Sequence, residues 1–153
     1  MTTENKEKEE YLSGYIIAIN TIKRMKRQRD SINIQIEELR RINCTPATQK
    51  ITGMPTAHNN KDLSDYVARI DEFEREVQEL NTLMDKKRVE AAKTCTRIWK
   101  SIEAMEKEEY KDLLSDHYVL RMSWIDIAKK YGYSRAGIYK LRNKAIEAFN
   151  INF

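Results

Sequence analysis

The chain is short of the residues that usually interrupt helices. Its 153 residues include four glycines and two prolines, where average composition predicts roughly eleven and eight. A β-sandwich or barrel needs a turn signal about every eight to twelve residues, so the shortage argues against both folds. No valine- and isoleucine-rich strand runs into a glycine turn, which argues against a catalytic α/β domain.

Cysteine, histidine and long apolar runs are also scarce. Cys44, Cys95, His58 and His117 are scattered singly, without the C-x-x-C or H-x-x-x-H spacing of metal sites. The charged N-terminus MTTENKEKEE has no apolar segment after it, unlike a secretory signal, and no apolar run is long enough to cross a bilayer. We therefore expect a cytoplasmic protein with reduced thiols, no metal and no cofactor.

Charge is abundant but unevenly distributed. Charged residues make up 34% of the chain and the net charge is +4. Residues 62–106 hold eight basic and eleven acidic residues, whereas residues 117–153 hold seven basic and two acidic ones. Contact with nucleic acid requires positive charge that is concentrated on one surface, so the C-terminal part is the candidate.

Two long segments have helical periodicity. In residues 7–43 apolar side chains recur in steps of three and four, which predicts one buried helical face. In residues 62–106 they recur every seven residues, which predicts a left-handed coiled-coil seam. The seven-residue series is Leu63, Ile70, Val77, Met84, Ala91, Ile98 and Met105, and it is joined by Tyr66, Phe73 and Leu80 and later by Cys95 and Ile102.

The segment between the two predicted helices, residues 44–61, contains Pro46, Gly53 and Pro55. A loop there predicts that the helices fold back antiparallel. This loop is either disordered or a contact site in its own right. A two-helix hairpin buries little surface alone, so we expect residues 1–106 to form a homodimer or higher oligomer.

One part of the first helix, KRMKRQR at residues 23–29, carries five basic residues in seven. Such a run is either a solvated helix face or a surface that contacts phosphates or a partner. The sequence leaves both interpretations open.

Residues 107–153 have the pattern of a helix-turn-helix domain. A first helix is predicted from Tyr110 to Leu120, a second from Trp124 to about Tyr131, and a third from the cap Ser134 to about Phe149. Ser123 with Asp126 forms a capping box, and Gly132 can supply the left-handed turn. The predicted buried set of the motif is Ile125, Ile127, Ala128, Tyr133, Ile138 and Leu141.

In this motif the third helix enters the major groove of DNA. We expect base contacts from Arg135, Ala136, Tyr139 and Lys140, of which Arg135 can pair with guanine through two hydrogen bonds. Phosphate contacts are expected from Arg142, Asn143 and Lys144, and from Ser134 at the helix N-terminus. Gly137 lies within this helix without an evident reason.

The run LLSDHYVLRMSWIDIAKKYGYSRAGIYKLRNKAIEAF resembles region 4 of bacterial sigma-70-type factors, through Asp126-Ile127-Ala128, Gly132-Tyr133-Ser134 and Lys144-Ala145-Ile146. The whole chain, including ITGMPTAHNNKDLSDYVARIDEFEREV, is similar to ArpU-like and RinA-like regulators of Gram-positive phages. The resemblance implies late-gene transcription in a host bacterial cytoplasm.

These observations predict an all-α protein in which a long antiparallel two-helix hairpin (1–106) precedes a helix-turn-helix domain (107–153). The expected function is a DNA-binding transcriptional regulator that oligomerises through its N-terminal helices and binds double-stranded DNA. The alternatives are a small-terminase-like component of phage DNA packaging and an adaptor that docks on host RNA polymerase. No catalytic grouping or phosphate loop stands out, so we do not expect an enzyme.

Overall fold

The structure is a computed structural model that describes residues 2–44 and 60–151, with side chains for 2–42 and 63–151. The predicted loop 44–61, with Pro46, Gly53, Pro55 and His58, therefore lies almost wholly outside the described residues. The helices are α1 (Thr3–Cys44), α2 (Asn60–Glu103), α3 (Glu108–Leu114), α4 (Trp124–Tyr131) and α5 (Arg135–Ala148).

The predicted fold class is confirmed. The described residues form no strand, the long helices α1 and α2 pack against each other, and three short helices follow. Within the described ranges, no helix is both long and apolar enough to span a membrane. Residue contacts divide the chain into two compact units. We call Ile22–Lys86 the hairpin unit, and Met1–Thr21 together with Lys87–Phe153 the terminal unit.

The hairpin unit is held together by the two predicted apolar faces. Ile32 and Ile36 of α1 are buried with Ile70 of α2. Half-buried side chains pack against this cluster, namely Leu39, Phe73, Val77 and Leu80. The heptad series therefore forms the seam that the sequence predicts, except that its first member, Leu63, is exposed.

The terminal unit has the larger core. Leu12 of α1 and Ile98 and Ile102 of α2 share one buried cluster with the short helices. The remaining buried members lie on the short helices and on the residues that precede, connect and follow them: Met105, Tyr110, Leu113, Leu114, Tyr118, Val119, Ile127, Ala128, Ile138, Ala145, Ile146 and Phe149. The sequence predicts a domain boundary between residues 106 and 107, whereas residue contacts group the start of α1 and the end of α2 with the short helices. The domain boundary therefore stays a prediction.

The close approach of α1 and α2 in the terminal unit explains Gly14. A Cβ atom at this position would lie 3.4 Å from Thr94 Cγ2 on α2, at the short end of ordinary van der Waals contact, so the two helices leave little room here beyond a methyl group. Farther along α1, near its end, Arg40 forms an ion pair with Glu74 of α2 in the hairpin unit.

The predicted first helix of the motif is not regular along its length. The α-helix α3 ends at Leu114, and the chain continues as a π-helical segment, Ser115–Val119. After it, Arg121 adopts a left-handed conformation with φ 61°, which is unfavourable for a residue with a side chain. This strained residue turns the chain toward α4.

Candidate nucleic-acid interface

The predicted Ser123 cap at the start of α4 is present, and Asp126 reaches back to the Ser123 side chain rather than to its backbone amide. Ser123 Oγ accepts a hydrogen bond from the Asp126 amide at 3.1 Å. The same hydroxyl donates to Asp126 Oδ2 at 2.8 Å, so the carboxylate reaches the hydroxyl of Ser123. At the other end Gly132 has φ 75°, in the left-handed region that favours glycine. Local chemistry therefore fixes both ends of α4 and the turn that follows.

Helix α5 begins with a second cap of the same kind. Ser134 Oγ accepts from the Gly137 amide at 3.0 Å. This contact also explains Gly137, because a Cβ at that position would lie 3.0 Å from the same oxygen atom. A side chain at residue 137 would therefore compete with the cap that starts the helix.

The angle between α4 and α5 is filled mostly as predicted. Ile127 and Ala128 of α4 are buried together with Ile138 of α5, and Leu141 is half-buried. Two of the predicted core residues were wrong, since Ile125 is 57% exposed and Tyr133 is 39% exposed. Ile125 lies off the buried stripe of the short α4 helix, and the Tyr133 hydroxyl donates to Glu109 at 2.7 Å.

One face of α5 is open to solvent and carries positive charge. Its exposed residues up to position 144 follow helical spacing, namely Arg135, Ala136, Tyr139, Lys140, Asn143 and Lys144, and Glu147 and Ala148 are exposed in its last turn. The chain between Asp126 and Glu147 contains no acidic residue. Seven of the eight predicted site residues thus lie at the exposed side, counting Ser134 at the helix start.

The eighth predicted residue, Arg142, is placed differently. Its side chain is 16% exposed, it forms an ion pair with Glu9 of α1, and its guanidinium lies 5.6 Å from the centre of the Trp124 ring. Burial lowers the pKa of this guanidinium. Ile138, Arg142, Ala145 and Phe149 follow the four-three-four spacing of a buried stripe, a signal that could have placed Arg142 inward.

An internal polar cluster holds α4 against the π-helical segment. The buried carboxylate of Asp116 accepts hydrogen bonds from the Tyr131 hydroxyl at 2.6 Å and from Lys130 Nζ at 2.9 Å. The backbone carbonyl of Asp116 also accepts from the Met122 amide at 2.9 Å. Sequence reasoning missed this cluster, because its members lie up to 15 residues apart and form no motif.

His117 packs beside the same turn. Its ring stacks on Trp124 with ring centres 4.2 Å apart, and its Nδ1 donates to the Met122 carbonyl at 2.7 Å. Burial lowers the pKa of this imidazole, although the bond to Met122 raises it. The burial of neighbouring Tyr118 raises its pKa to about 12. Both rings stabilise the domain, and no cluster of three or more metal-ligating side chains occurs among the described residues.

The arrangement presents positive charge on the exposed side of a packed helix. The described part of α5 offers cations, an amide and a tyrosine ring on one exposed face, whereas its opposite face is packed against α3 and α4. Cations bind phosphates, and amide, guanidinium and aromatic groups can contact base edges in the major groove.

Comparison with known proteins places the chain by family. The family model described as "Protein of unknown function (DUF1492)", a family seen in phage proteins, matches residues 69–150, which is more than half of the chain. Neither the curated proteins nor the solved structures contain a significant match. The matched range covers most of α2 and all three short helices.

Proposed function

The chain belongs to the DUF1492 family, and we propose that it is a DNA-binding transcriptional regulator, acting on phage promoters, whose α5 helix reads duplex DNA. The observation that carries the proposal is the exposed face of α5. Arg135, Lys140 and Lys144 lie there, and the acidic residue of the helix, Glu147, follows in its last turn. We call the six exposed residues from Arg135 to Lys144 the α5 face.

The packing of α4 against α5 supports binding in the major groove. A recognition helix has to be held by a preceding helix while its outer face stays free. Ile127 and Ile138 supply the buried contact between the helices, and Gly132 supplies the turn. Arg135 and Ala136 lie in the first turn of α5, which is the part that approaches base edges in this kind of module.

Arg142 does not belong to the proposed contact set. Its ion pair with Glu9 and its contact with the Trp124 ring occupy the guanidinium inside the terminal unit. Removing the Arg142 side chain would therefore lower stability rather than remove a phosphate contact. The proposed phosphate contacts are Asn143, Lys144 and the Ser134 end of α5.

Oligomerisation through α1 and α2 is the second part of the proposal. Large apolar side chains are exposed on both helices, among them Ile34 and Leu83 in the hairpin unit and Ile17 and Val89 in the terminal unit. A second copy of the chain could cover them, and a dimer would carry two α5 helices to two half-sites. Mass measurement in solution tests this part: a dimer agrees with it, whereas a large ring favours the packaging component.

The central test removes positive charge from the α5 face. Arg135→Ala combined with Lys140→Ala should abolish sequence-specific binding, as judged by footprinting on phage genomic fragments. A matched control is Arg97→Ala combined with Lys100→Ala, which removes the same two charges from exposed positions on α2. Circular dichroism of both variants should remain unchanged, because all four side chains are exposed.

The result that would overturn the proposal is a footprint that survives the Arg135 and Lys140 changes. An equal loss in the α2 control would also contradict it, since binding would then depend on net charge and not on α5. Capture of host RNA polymerase by a variant that no longer binds DNA would instead support the adaptor interpretation.

A further inference from the structure

The basic run of α1 forms a charged surface that the proposed function of α5 does not use. Lys23, Arg24, Lys26 and Arg27 are all exposed in the hairpin unit. Ile22 is buried, and Met25 and Arg29 are half-buried, so these three lie on the side of α1 that faces α2. We call the four exposed cations the α1 basic face.

The two-helix register places Asp85 and Lys86 of α2 at the level of this face. Arg29 donates a hydrogen bond to Asn81 Oδ1 of α2 at 3.1 Å. Because the helices run antiparallel, the residues after Asn81 lie beside those before Arg29. Lys86 is five residues after Asn81, and Arg24 is five residues before Arg29, so Lys86 lies at the level of the α1 basic face and is exposed.

Along α1, acidic residues are absent around Lys23, Lys26 and Arg27, whereas Arg24, like Asp85 of α2, already has an interaction partner. No aspartate or glutamate occurs between Glu10 and Asp30. Asp30 itself is engaged by Arg29, through contacts of 3.1 and 3.3 Å to the guanidinium. Lys23, Lys26 and Arg27 therefore form a row of cations within little more than one turn of α1, with no acid between them in the sequence.

The chemistry of the surface favours duplex DNA over other anionic partners. The core of a protein interface is depleted in lysine and enriched in large apolar groups, but residues 22–29 expose no large apolar side chain. A membrane-surface helix inserts its apolar face into the lipid, whereas Ile22 and Ile32 of α1 are buried in the protein. A DNA duplex presents about one phosphate charge per 1.7 Å, which suits three cations within about 6 Å of helix.

We infer that Lys23, Lys26 and Arg27 of the α1 basic face bind the phosphate backbone of duplex DNA independently of base recognition by α5. The inference takes its ligand from the proposed function but assigns contacts to other residues. Lysine and arginine side chains on this face would supply affinity without sequence preference. The protein would accordingly contact DNA through two surfaces, of which the α5 face alone distinguishes sequences.

The test measures the salt dependence of binding by the full-length protein. The variant combines Lys23→Ala, Lys26→Ala and Arg27→Ala. Its binding to a labelled random-sequence duplex is measured by fluorescence anisotropy at salt concentrations between about 50 and 200 mM. Since each phosphate contact contributes about 0.9 to the slope of log affinity against log salt, the slope should fall by about 2 to 3. Affinity at low salt should fall on the order of tenfold or more.

The matched control removes three exposed cations that lie among acidic residues of α2. It combines Arg69→Ala, Arg75→Ala and Lys93→Ala, and its slope should equal that of the unchanged protein. An unchanged slope in the α1 variant overturns the inference, as does an equal decrease in the control. Binding to phosphatidylserine vesicles that is lost in the α1 variant, with DNA binding intact, also overturns it and identifies a membrane surface.

Comparison with the Arg135 and Lys140 variant separates this inference from the proposed function. If the α5 variant loses its footprint and the α1 variant keeps its slope, the inference fails and recognition by α5 stands. If the slope of log affinity against log salt decreases in the α1 variant and the α5 variant keeps its footprint, the inference stands and recognition by α5 fails. A protein that binds no duplex at all overturns both.

Discussion

Arg142 of α5 forms an ion pair with Glu9 of α1, although 133 residues separate them in the chain. The guanidinium also lies over the Trp124 ring, so a single side chain connects the first helix, the second helix of the motif and the proposed recognition helix. The orientation of α5 therefore depends on residues near the N-terminus as well as on the turn that precedes it.

Glu9→Gln should destabilise the protein by about 1–3 kcal/mol, because a half-buried guanidinium loses its charged partner. Urea unfolding followed by circular dichroism measures the change. Glu7→Gln is the matched control, since Glu7 is exposed on the same helix turn. Identical unfolding midpoints for the two variants would show that the Glu9 pair contributes nothing.

Tyr131→Phe removes the hydroxyl that donates to the buried Asp116 carboxylate. Loss of this bond should cost about 0.5–1.5 kcal/mol of unfolding free energy. Tyr139→Phe is a close control, because both tyrosines are 39% exposed. Thermal unfolding should distinguish the two variants, and an unaltered melting temperature for Tyr131→Phe would contradict the assigned role of the Asp116 cluster.

Gly137→Ala should not bring the stabilisation of about 1 kcal/mol that alanine usually gives over glycine within a helix. The new Cβ would lie 3.0 Å from Ser134 Oγ and disturb the cap. In a Ser134→Ala background the oxygen atom is absent, and the same change should stabilise the protein by about 1 kcal/mol. Chemical unfolding of the four proteins in this double-mutant cycle gives the coupling, and additive effects would disprove it.

Because of the His117 imidazole, we expect the folded protein to lose stability in acid. Burial lowers its folded-state pKa below the usual value of 6.5, so the folded protein binds fewer protons than the unfolded chain. The contribution is fully present above pH 6.5 and declines as the pH falls through the lowered pKa.

His117→Phe keeps a ring beside Trp124 but cannot titrate, so it should remove this part of the pH dependence. Urea midpoints at several pH values, compared between the two proteins, measure the difference. His58 is present in both proteins, so its contribution to the pH dependence cancels in the comparison. A parallel pH dependence in the variant would show that His117 does not contribute.

Local sequence signals predicted those parts of the fold that local chemistry determines. Ser123, Gly132 and Ser134 each act within four residues, and the seven-residue series in α2 needs only a neighbouring helix. Arg142 shows the limit of such signals. Its positive charge suggested a phosphate contact, but the partner that occupies it lies on α1, and no local pattern relates Glu9 to α5.

The same limit applies to the ends of α1 and α2. Periodicity predicted two apolar faces but not that Leu12 and Ile98 would share a core with the short helices. The π-helical segment and the left-handed Arg121 were also missed, because neither position carries a glycine or proline that would mark the irregularity. The burial of Asp116 was missed for a related reason, since a lone carboxylate in a charged chain usually faces solvent.

The core of the terminal unit also determines the order in which the protein can fold during synthesis. Lys8 Nζ donates to the Glu147 carbonyl, 139 residues away, and the Tyr11 ring lies 6.0 Å from the ring of Phe149. The ribosome synthesises α1 first, so Tyr11 and Leu12 cannot pack against the C-terminal residues of this core until nearly the whole chain has been made. The core of the terminal unit therefore forms through contacts of high sequence separation, which slow folding.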